Sequence, residues 1–448
     1  MPDQLAITPL PAAFDLTIDD LPGSKSLTNR ALLLAALATG QSTLTGVLFS
    51  DDTRHMLDAL GRLGFALTID EGSRAVTVTG QGGAMPRPQA ELHLGNSGTC
   101  VRSLTAACAL GEGPYRIDGI ARMRERPIGE LVEPLRQIGA DVQYLDNAGY
   151  PPLTVGSRGG LAGGELIMRP TLSSQFITAL LMVGPCCRAG LTLRFEGAVT
   201  SRPYVEMTLS VMEAFGARAS VDEAFTRVRV EAGTYAGRAY AIEPDASNAS
   251  YFLAAAAVMP GSRCTITNLG KASLQGDVGF AEVLGQMGAQ VTMSDDAITV
   301  ASPATGQPLR GVDVDLNRMP DTAQTLGPVA LFADGPTTIR NVGNLRVKET
   351  DRMAALQNEL TKLGATVDVV GDDLRITPPG DGKLRPTAID TYDDHRMAMG
   401  FAVAGLRSPG VVINDPACVN KTFPDYFDYL DRLRGASASP AAAQGRMG

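Results

Sequence analysis

The chain has 448 residues, and at about 150 residues per domain that length divides into two or three units. With 44% hydrophobic residues it is too apolar to be a disordered chain; its net charge of −9 and lack of Trp exclude a nucleic-acid-coating surface and an aromatic stacking platform. Six cysteines without a C-x-x-C pair, no basic-then-apolar leader, and apolar runs near 31–38 and 251–259 shorter than the ~20 residues of a bilayer span predict a cytoplasmic protein with reduced thiols.

In chain order, Pro22-Gly23-Ser24-Lys25-Ser26-Leu27-Thr28-Asn29-Arg30 opens the apolar helix ALLLAALA. Amides at a helix start attract anions, and Lys25 and Arg30 would add full charge, although a capped surface turn reads equally well from the segment alone. The next helix, HMLDALGRLG, feeds alternating FALTI and then AVTVT. A glycine-rich loop follows, Leu94-Gly95-Asn96-Ser97-Gly98-Thr99, and then RMRERPIG with Arg122, Arg124 and Arg126. Ser173-Ser174-Gln175 precedes FITALLM, and Ser201-Arg202-Pro203-Tyr204 precedes another helix. In the second half, Asp321 stands before an apolar segment, Asn344 to Arg352 packs Lys348 and Glu349 among its charges, Asp393-Asp394-His395-Arg396 opens a helix, and Lys421 sits in NKTFPDYF. Each of these has an ordinary structural use as a cap or a solvated turn. Together they place polar side chains at helix starts throughout the chain.

Five segments repeat one pattern, an amphipathic helix stopped by Gly64, Gly139, Gly216, Gly288 or Gly364 and followed by an alternating strand; the glycines are 75, 77, 72 and 76 residues apart. In the second copy Leu131, Val132, Leu135 and Ile138 form one helical face, and Gly139 supplies the left-handed C′ residue. A second short strand follows in most copies, as in TRVRV, AITV and LRIT. A sixth helix, PDYFDYLDRLRG, ends this reading at Gly435 without a strand of its own, which FDLTI (14–18) is expected to supply. The pattern predicts an α/β protein whose two ends share a domain: 1–22 with 244–434, around a second domain 23–243, with an unstructured tail 435–448. A small-molecule site is expected where helix starts of the two domains face a common cleft.

The stretches PGSKSLTNRALLLAALA, LGNSGT, RMRERPIG, SSQFITALLM, SRPY, DASNASYFLAAAA, RVKETDRM, DDHRMAM and KTFPDYF, from about residue 21 to 427, resemble the 5-enolpyruvylshikimate-3-phosphate synthase family of enolpyruvyl transferases. The resemblance implies a two-domain inside-out α/β barrel, each domain made of three βαβαββ units. It also implies transfer of the enolpyruvyl group of phosphoenolpyruvate to the 5-hydroxyl of shikimate 3-phosphate. On the matching positions, Lys25, Ser26, Arg30, Ser173, Ser174, Gln175, Ser201, Tyr204, Asp321, Asn344 and Lys348 would hold shikimate 3-phosphate. Lys25, Asn96, Gly98, Arg126, Gln175, Arg352, His395, Arg396 and Lys421 would hold phosphoenolpyruvate. Asp321 and Glu349 would be the acid–base pair, with Lys25 or His395 sharing proton transfer. No cofactor and no metal is expected, nor any nucleic-acid or membrane partner, and the chain is expected to act as a monomer.

Some positions depart from the family's habit. Ser103 stands where many members carry Pro, Ser97 often appears as Ala, and Pro244 and Asn248 replace frequent Gly and Ser. Members are commonly inhibited by glyphosate, and Ser103 is expected to weaken that inhibition. The sister transferase acting on UDP-N-acetylglucosamine typically carries a Lys-Asn pair and a Cys-bearing loop, which Lys25-Ser26 and RMRERPIG do not match. A non-catalytic sensor of phosphorylated metabolites would need the cations without Asp321 or Glu349, and an RNA-end-processing enzyme fits poorly with the charge.

Overall fold

The computed structural model describes residues 1–169 and 173–437. The chain divides into a terminal unit, Met1–Pro22 with the segment from Pro244 onward, and a unit central in the sequence, Gly23–Glu243. The terminal unit opens with β1 (Gln4–Ala6) and β2 (Asp15–Ile18).

The central unit runs α1 (Lys25–Leu37), β3 (Thr39–Thr45), α2 (Asp51–Arg62), β4 (Ala66–Asp70) and β5 (Ala75–Gln81). It continues with β6 (Ala90–His93), α3 (Gly98–Cys108), β7 (Tyr115–Asp118), α4 (Gly129–Gln137), β8 (Ala140–Tyr144) and β9 (Leu153–Ser157). The third passage is β10 (Gly164–Met168), α5 (Ser174–Val183), β11 (Leu191–Phe195), α6 (Arg202–Ala214), β12 (Ala219–Val221) and β13 (Arg227–Val230), and β14 (Ala239–Ala241) closes the unit. Its sheets have the orders β14-β3-β5-β4, β6-β7-β9-β8 and β10-β11-β13-β12. In each, the first two strands are parallel and the last three antiparallel, so every sheet is one βαβαββ repeat. The first repeat borrows its leading strand, β14, from the far end of the segment.

The terminal unit resumes with α7 (Ala246–Val258), β15 (Arg263–Thr267), α8 (Phe280–Gln286), β16 (Gln290–Met293) and β17 (Ala297–Ala301). Next come β18 (Asp313–Asp315), α9 (Ala323–Ala330), β19 (Thr337–Arg340), α10 (Arg352–Lys362), β20 (Thr366–Val370) and β21 (Asp373–Thr377). The last passage is β22 (Thr387–Ile389), α11 (His395–Arg407), β23 (Val411–Asn414) and α12 (Tyr426–Ser437). The sheets are β16-β17-β15-β2, β18-β19-β21-β20 and β1-β23-β22.

Two expectations are corrected here. FDLTI does not complete the last repeat; β2 lies parallel to β15 as the leading strand of the fourth, and β1 pairs antiparallel with β23 to finish the sixth. Gly435 does not end the last helix, because α12 continues through it to Ser437. The rest of the expected tail, 438–448, lies outside the described residues. Among the described residues each sheet is open, with two edge strands, and none closes into a barrel.

Apolar pattern decides which helices lie inside each unit. ALLLAALA and FITALLM are apolar all round, and α1 and α5 are correspondingly buried along almost their whole length, with α3 between them. In the terminal unit α7, α9 and α11 do the same, every residue of α7 being buried. The second helix of each repeat is amphipathic: α2 buries Met56, Leu57 and Leu60 and exposes the Arg62–Asp58 pair. The five repeat glycines all have φ between 90° and 106°. After α2, Gly64 N donates to Gly61 O at 3.0 Å and Phe65 N to Leu60 O at 3.0 Å, the paired bonds of a Schellman ending.

Candidate active site

In the central unit, contacts between first turns draw five helix starts together. Lys25 Nζ at the start of α1 pairs at 3.0 Å with Asp52 Oδ2, a buried carboxylate in the first turn of α2. Cys100 Sγ, in the first turn of α3, reaches Asp52 O at 3.2 Å. The Arg102 guanidinium lies 5.9 Å over the Phe176 ring at the start of α5. Arg30 Nε donates to Thr208 Oγ1 of α6 at 2.7 Å, and its Nη1 to Ser26 O at 2.9 Å. Burial pulls the Arg30 pKa down to about 10, with Tyr204 pulling weakly the other way. Its recorded hydrogen bonds go to neutral oxygens, so this buried cation carries a desolvation cost that an arriving anion would offset.

Of the three clustered arginines only Arg126 is buried. Its Nη1 donates to Asn96 O at 2.9 Å and to Asn96 Oδ1 at 3.0 Å. Arg122 is engaged with Glu125 and Arg124 with Asp118, which makes them structural. Gly98 is glycine for a steric reason: a Cβ there would stand 2.5 Å from Arg126 Nη2 and 3.1 Å from Arg102 Nη1. Ser173 caps α5 by accepting from Gln175 N at 3.3 Å, and Ser174 is buried beside it. Ser201 takes a left-handed conformation, φ 52°, ahead of α6, where Thr208 Oγ1 donates to Tyr204 O at 2.7 Å.

In the terminal unit a denser network surrounds Asp321, held in the single turn Pro320–Thr322 before α9. Its Oδ1 lies 3.0 Å from Arg352 Nη1 and 3.4 Å from Lys348 Nζ, and its Oδ2 lies 3.0 Å from Arg396 Nη2. Burial alone would raise the Asp321 pKa, but Arg396, Lys348 and Arg352 outweigh it and hold the carboxyl far below its usual range. Arg352, 1% exposed, also meets Glu349 Oε2 at 3.0 Å and the Asp394 carboxylate through Nε at 2.7 Å and Nη2 at 3.1 Å. Burial works against its charge, yet Asp394, Glu349 and Asp321 together raise its pKa. Asp394 also caps α11 by accepting from Arg396 N at 3.0 Å, and His395 Nδ1 lies 3.6 Å from Asp394 Oδ1. Asn344 sits in the turn Gly343–Val347, which packs against the Asp321 turn. Lys421 ends the turn Pro416–Lys421, which packs on α11 and leaves it 9% exposed.

The structure thus brings Asp321, Lys348, Glu349, Arg352 and Arg396 into one ion-pair network. It gathers Lys25, Arg30, Asn96, Gly98 and Arg126 among the central unit's helix starts. Sequence reasoning missed Asp52, Asp394 and Asp277. Asp394 had a readable signal, its place just before an apolar helix, but its bond to Arg352 spans 42 residues. A cavity of about 1070 Å³ in the terminal unit lies elsewhere, at the carboxyl ends of α7 and α11 beside Arg407 and Phe332, and contains none of these groups. Among the described residues no cluster of His, Cys, Asp and Glu could hold a metal ion, and no helix is long and apolar enough to cross a membrane.

βαβαββ repeats in two trios, with cations and carboxylates at their helix starts, fit the carboxyvinyl transferases, and comparison with known proteins agrees. A family model described as EPSP synthase (3-phosphoshikimate 1-carboxyvinyltransferase) matches residues 15–430. The chain is 49% identical to the chloroplastic 3-phosphoshikimate 1-carboxyvinyltransferase of Brassica napus, over 92% of this chain and 82% of that one. It is 47% identical to the enzyme of that name from Shewanella oneidensis, over 93% and 96%. A solved EPSP synthase structure from Acinetobacter baumannii is similar with a TM-score of 0.79 at 26% identity, over 96% of this chain and 98% of that one. The chain belongs to the EPSP synthase family.

Proposed function

We infer that the chain transfers the enolpyruvyl group of phosphoenolpyruvate to the 5-hydroxyl of shikimate 3-phosphate, releasing phosphate, as a step of the shikimate pathway toward aromatic amino acids. The observation that carries this reading, beside the family match, is one buried carboxylate held by three cations with a second carboxylate alongside. In the addition, C3 of phosphoenolpyruvate gains a proton while the 5-oxygen attacks C2 and loses its own. In the elimination, C3 gives up a proton and phosphate leaves C2. Two groups with opposite proton tasks are needed, and Asp321 takes the proton of the hydroxyl while Glu349 serves C3.

In this reading Arg30, Lys25, Ser26, Ser173, Ser174, Gln175, Ser201, Tyr204, Asn344 and Lys348 bind shikimate 3-phosphate. Phosphoenolpyruvate takes Asn96, Gly98, Arg126, Arg352, His395, Arg396 and Lys421, with Lys25 and Gln175 serving both. Support comes from the geometry of Arg352, which the incoming phosphate must share with Glu349. Drawing the guanidinium off that carboxylate frees Glu349 to carry the proton. Developing charge on the tetrahedral intermediate is then met by fixed cations, the electrostatic contribution that usually dominates such catalysis. A cytoplasmic monomer, with helices enclosed by sheets as in an inside-out barrel, belongs to the same reading.

The test is to mix the chain with both substrates and follow phosphate release, for the native protein and for Glu349→Gln. Turnover that Glu349→Gln sharply reduces is expected; unchanged turnover removes Glu349 from the chemistry. Turnover with UDP-N-acetylglucosamine in place of shikimate 3-phosphate would assign the sister activity, and binding of both substrates without phosphate release would make the chain a sensor.

Ser103 bears on inhibition by glyphosate. Its hydroxyl donates back to Thr99 O at 2.8 Å inside α3, just beyond Gly98, a bond that slightly weakens and bends a helix. Ser103→Pro is expected to tighten glyphosate inhibition several-fold at little change in phosphoenolpyruvate KM, and an unchanged inhibition constant would refute this.

A further inference from the structure

Asp277 lies in the single turn Gly276–Gly279 before α8, 4% exposed, in a segment with no pattern that marks it from sequence. Its Oδ2 accepts a hydrogen bond from Ser247 Oγ in the first turn of α7. The start of α7 is clamped by the same segment, for Ala246 N donates to Gln275 Oε1 at 3.0 Å and Gln275 Nε2 donates to Pro244 O at 2.6 Å. Asp277 is therefore a buried acid fixed against the inner helix that carries Tyr251, whose hydroxyl accepts from Arg396 Nη1 at 3.4 Å. We infer that Asp277 is a positioning residue that sets the basicity of Asp321, by placing a second negative charge within electrostatic reach of the Asp321–Arg396 pair. The inference rests on Asp321 being the group that takes the hydroxyl proton.

The argument starts from a mismatch. Three cations make Asp321 a weak base, whereas a general base works best when its pKa is near the working pH. A fixed negative charge nearby raises the basicity of Asp321, and the effect is mutual: burial first, and then Asp321, push the Asp277 pKa up to about 6. The Ser247 hydrogen bond and Arg396 pull it down, and Asp245, at the cap of α7, adds a small push upward. The other charged or titratable groups on the packed elements are Tyr251 on α7, Glu282 on α8, Arg318 on the segment leading to Asp321, and His395 and Arg396 at the start of α11. Above about pH 6 Asp277 is ionised and supports Asp321; below it that support is lost.

The same shift fixes a sign for stability. An acid whose folded pKa is raised holds its proton more tightly in the folded state, so folding stability falls as pH climbs from the unfolded pKa, 3.8, to about 6, and the penalty is complete above that. Asp277 as a carboxylate thus destabilises the fold at neutral pH, and an amide in its place relieves the strain.

The experiment measures kcat and KM for both substrates between pH 5 and 9 in the native chain, Asp277→Asn, Asp277→Glu and Ser247→Ala. The native kcat is expected to show an acid limb near pH 6. Asp277→Asn should lose that limb, with plateau kcat reduced about tenfold and both KM values within twofold. Asp277→Glu should restore the limb in part. Ser247→Ala should move it to higher pH, because the hydrogen bond that favours the ionised acid is gone. Thermal unfolding should show Asp277→Asn more stable than native at pH 8 and equal to it at pH 4. An Asp277→Asn profile that superimposes on the native one, or a loss confined to KM, overturns the inference while leaving the functional reading intact. A native chain that turns over neither substrate overturns both.

Discussion

A single guanidinium holds the terminal unit's network together. Arg352 meets Asp321, Glu349 and Asp394 with almost no exposure, so removing it leaves three carboxylates facing one another out of water. Arg352→Ala is expected to cost ~3–5 kcal/mol of stability, in line with breaking a buried ion pair. Arg352→Lys should cost less, since a cation remains, but it loses the fork that grips Asp394 through two nitrogens. Denaturant midpoints check the stability order native, Lys, Ala, and phosphate release should fall in the same order. The charges of RVKETDR were readable from sequence as a helix start. Which of them turns inward was not, because Asp321 and Asp394 reach Arg352 from 31 and 42 residues away. The arginine run shows the same limit: Arg122, Arg124 and Arg126 look alike in sequence, and only the position of Asp118 and Glu125 separates two surface pairs from one buried cation.

At the scale of the element, glycine has opposite meanings at two helix ends. Gly288 follows α8 with φ 105°, a conformation that L side chains rarely adopt, and Gly288→Ala is expected to lose ~1–2 kcal/mol. Gly435 lies inside α12 with open space around its missing Cβ, and Gly435→Ala is expected to gain ~0.5–1 kcal/mol from helix propensity. Melting temperatures moving in opposite directions would confirm the assignment; movement in the same direction would overturn it. Sequence spacing made Gly435 look like the sixth cap because it has the same relation to an apolar face as the other five. The helix and hairpin pattern was legible for a physical reason, since periods of 3.6 and 2 follow from burying one face. The closing strand was not. FDLTI alternates and reads as a free strand, while Gln4–Ala6 has three residues and no pattern, and becomes a strand only because β23 offers an open edge.

Across the whole molecule, one consequence follows from how the chain visits its units. Everything from Gly23 to Glu243 is an uninterrupted insert between β2 and α7, with three repeats and a core of its own. Its two ends are already adjacent, because Ser24 N donates to Glu243 O at 2.8 Å; on the other side of the crossing, Asp245 N donates to Pro22 O at 2.9 Å. The gene could therefore be cut into two viable genes. Residues 23–243 expressed alone should melt cooperatively, and so should a chain in which Pro22 is spliced directly to Pro244, each without turnover by itself. A splice product that stays unfolded would mean the host half depends on its passenger to fold.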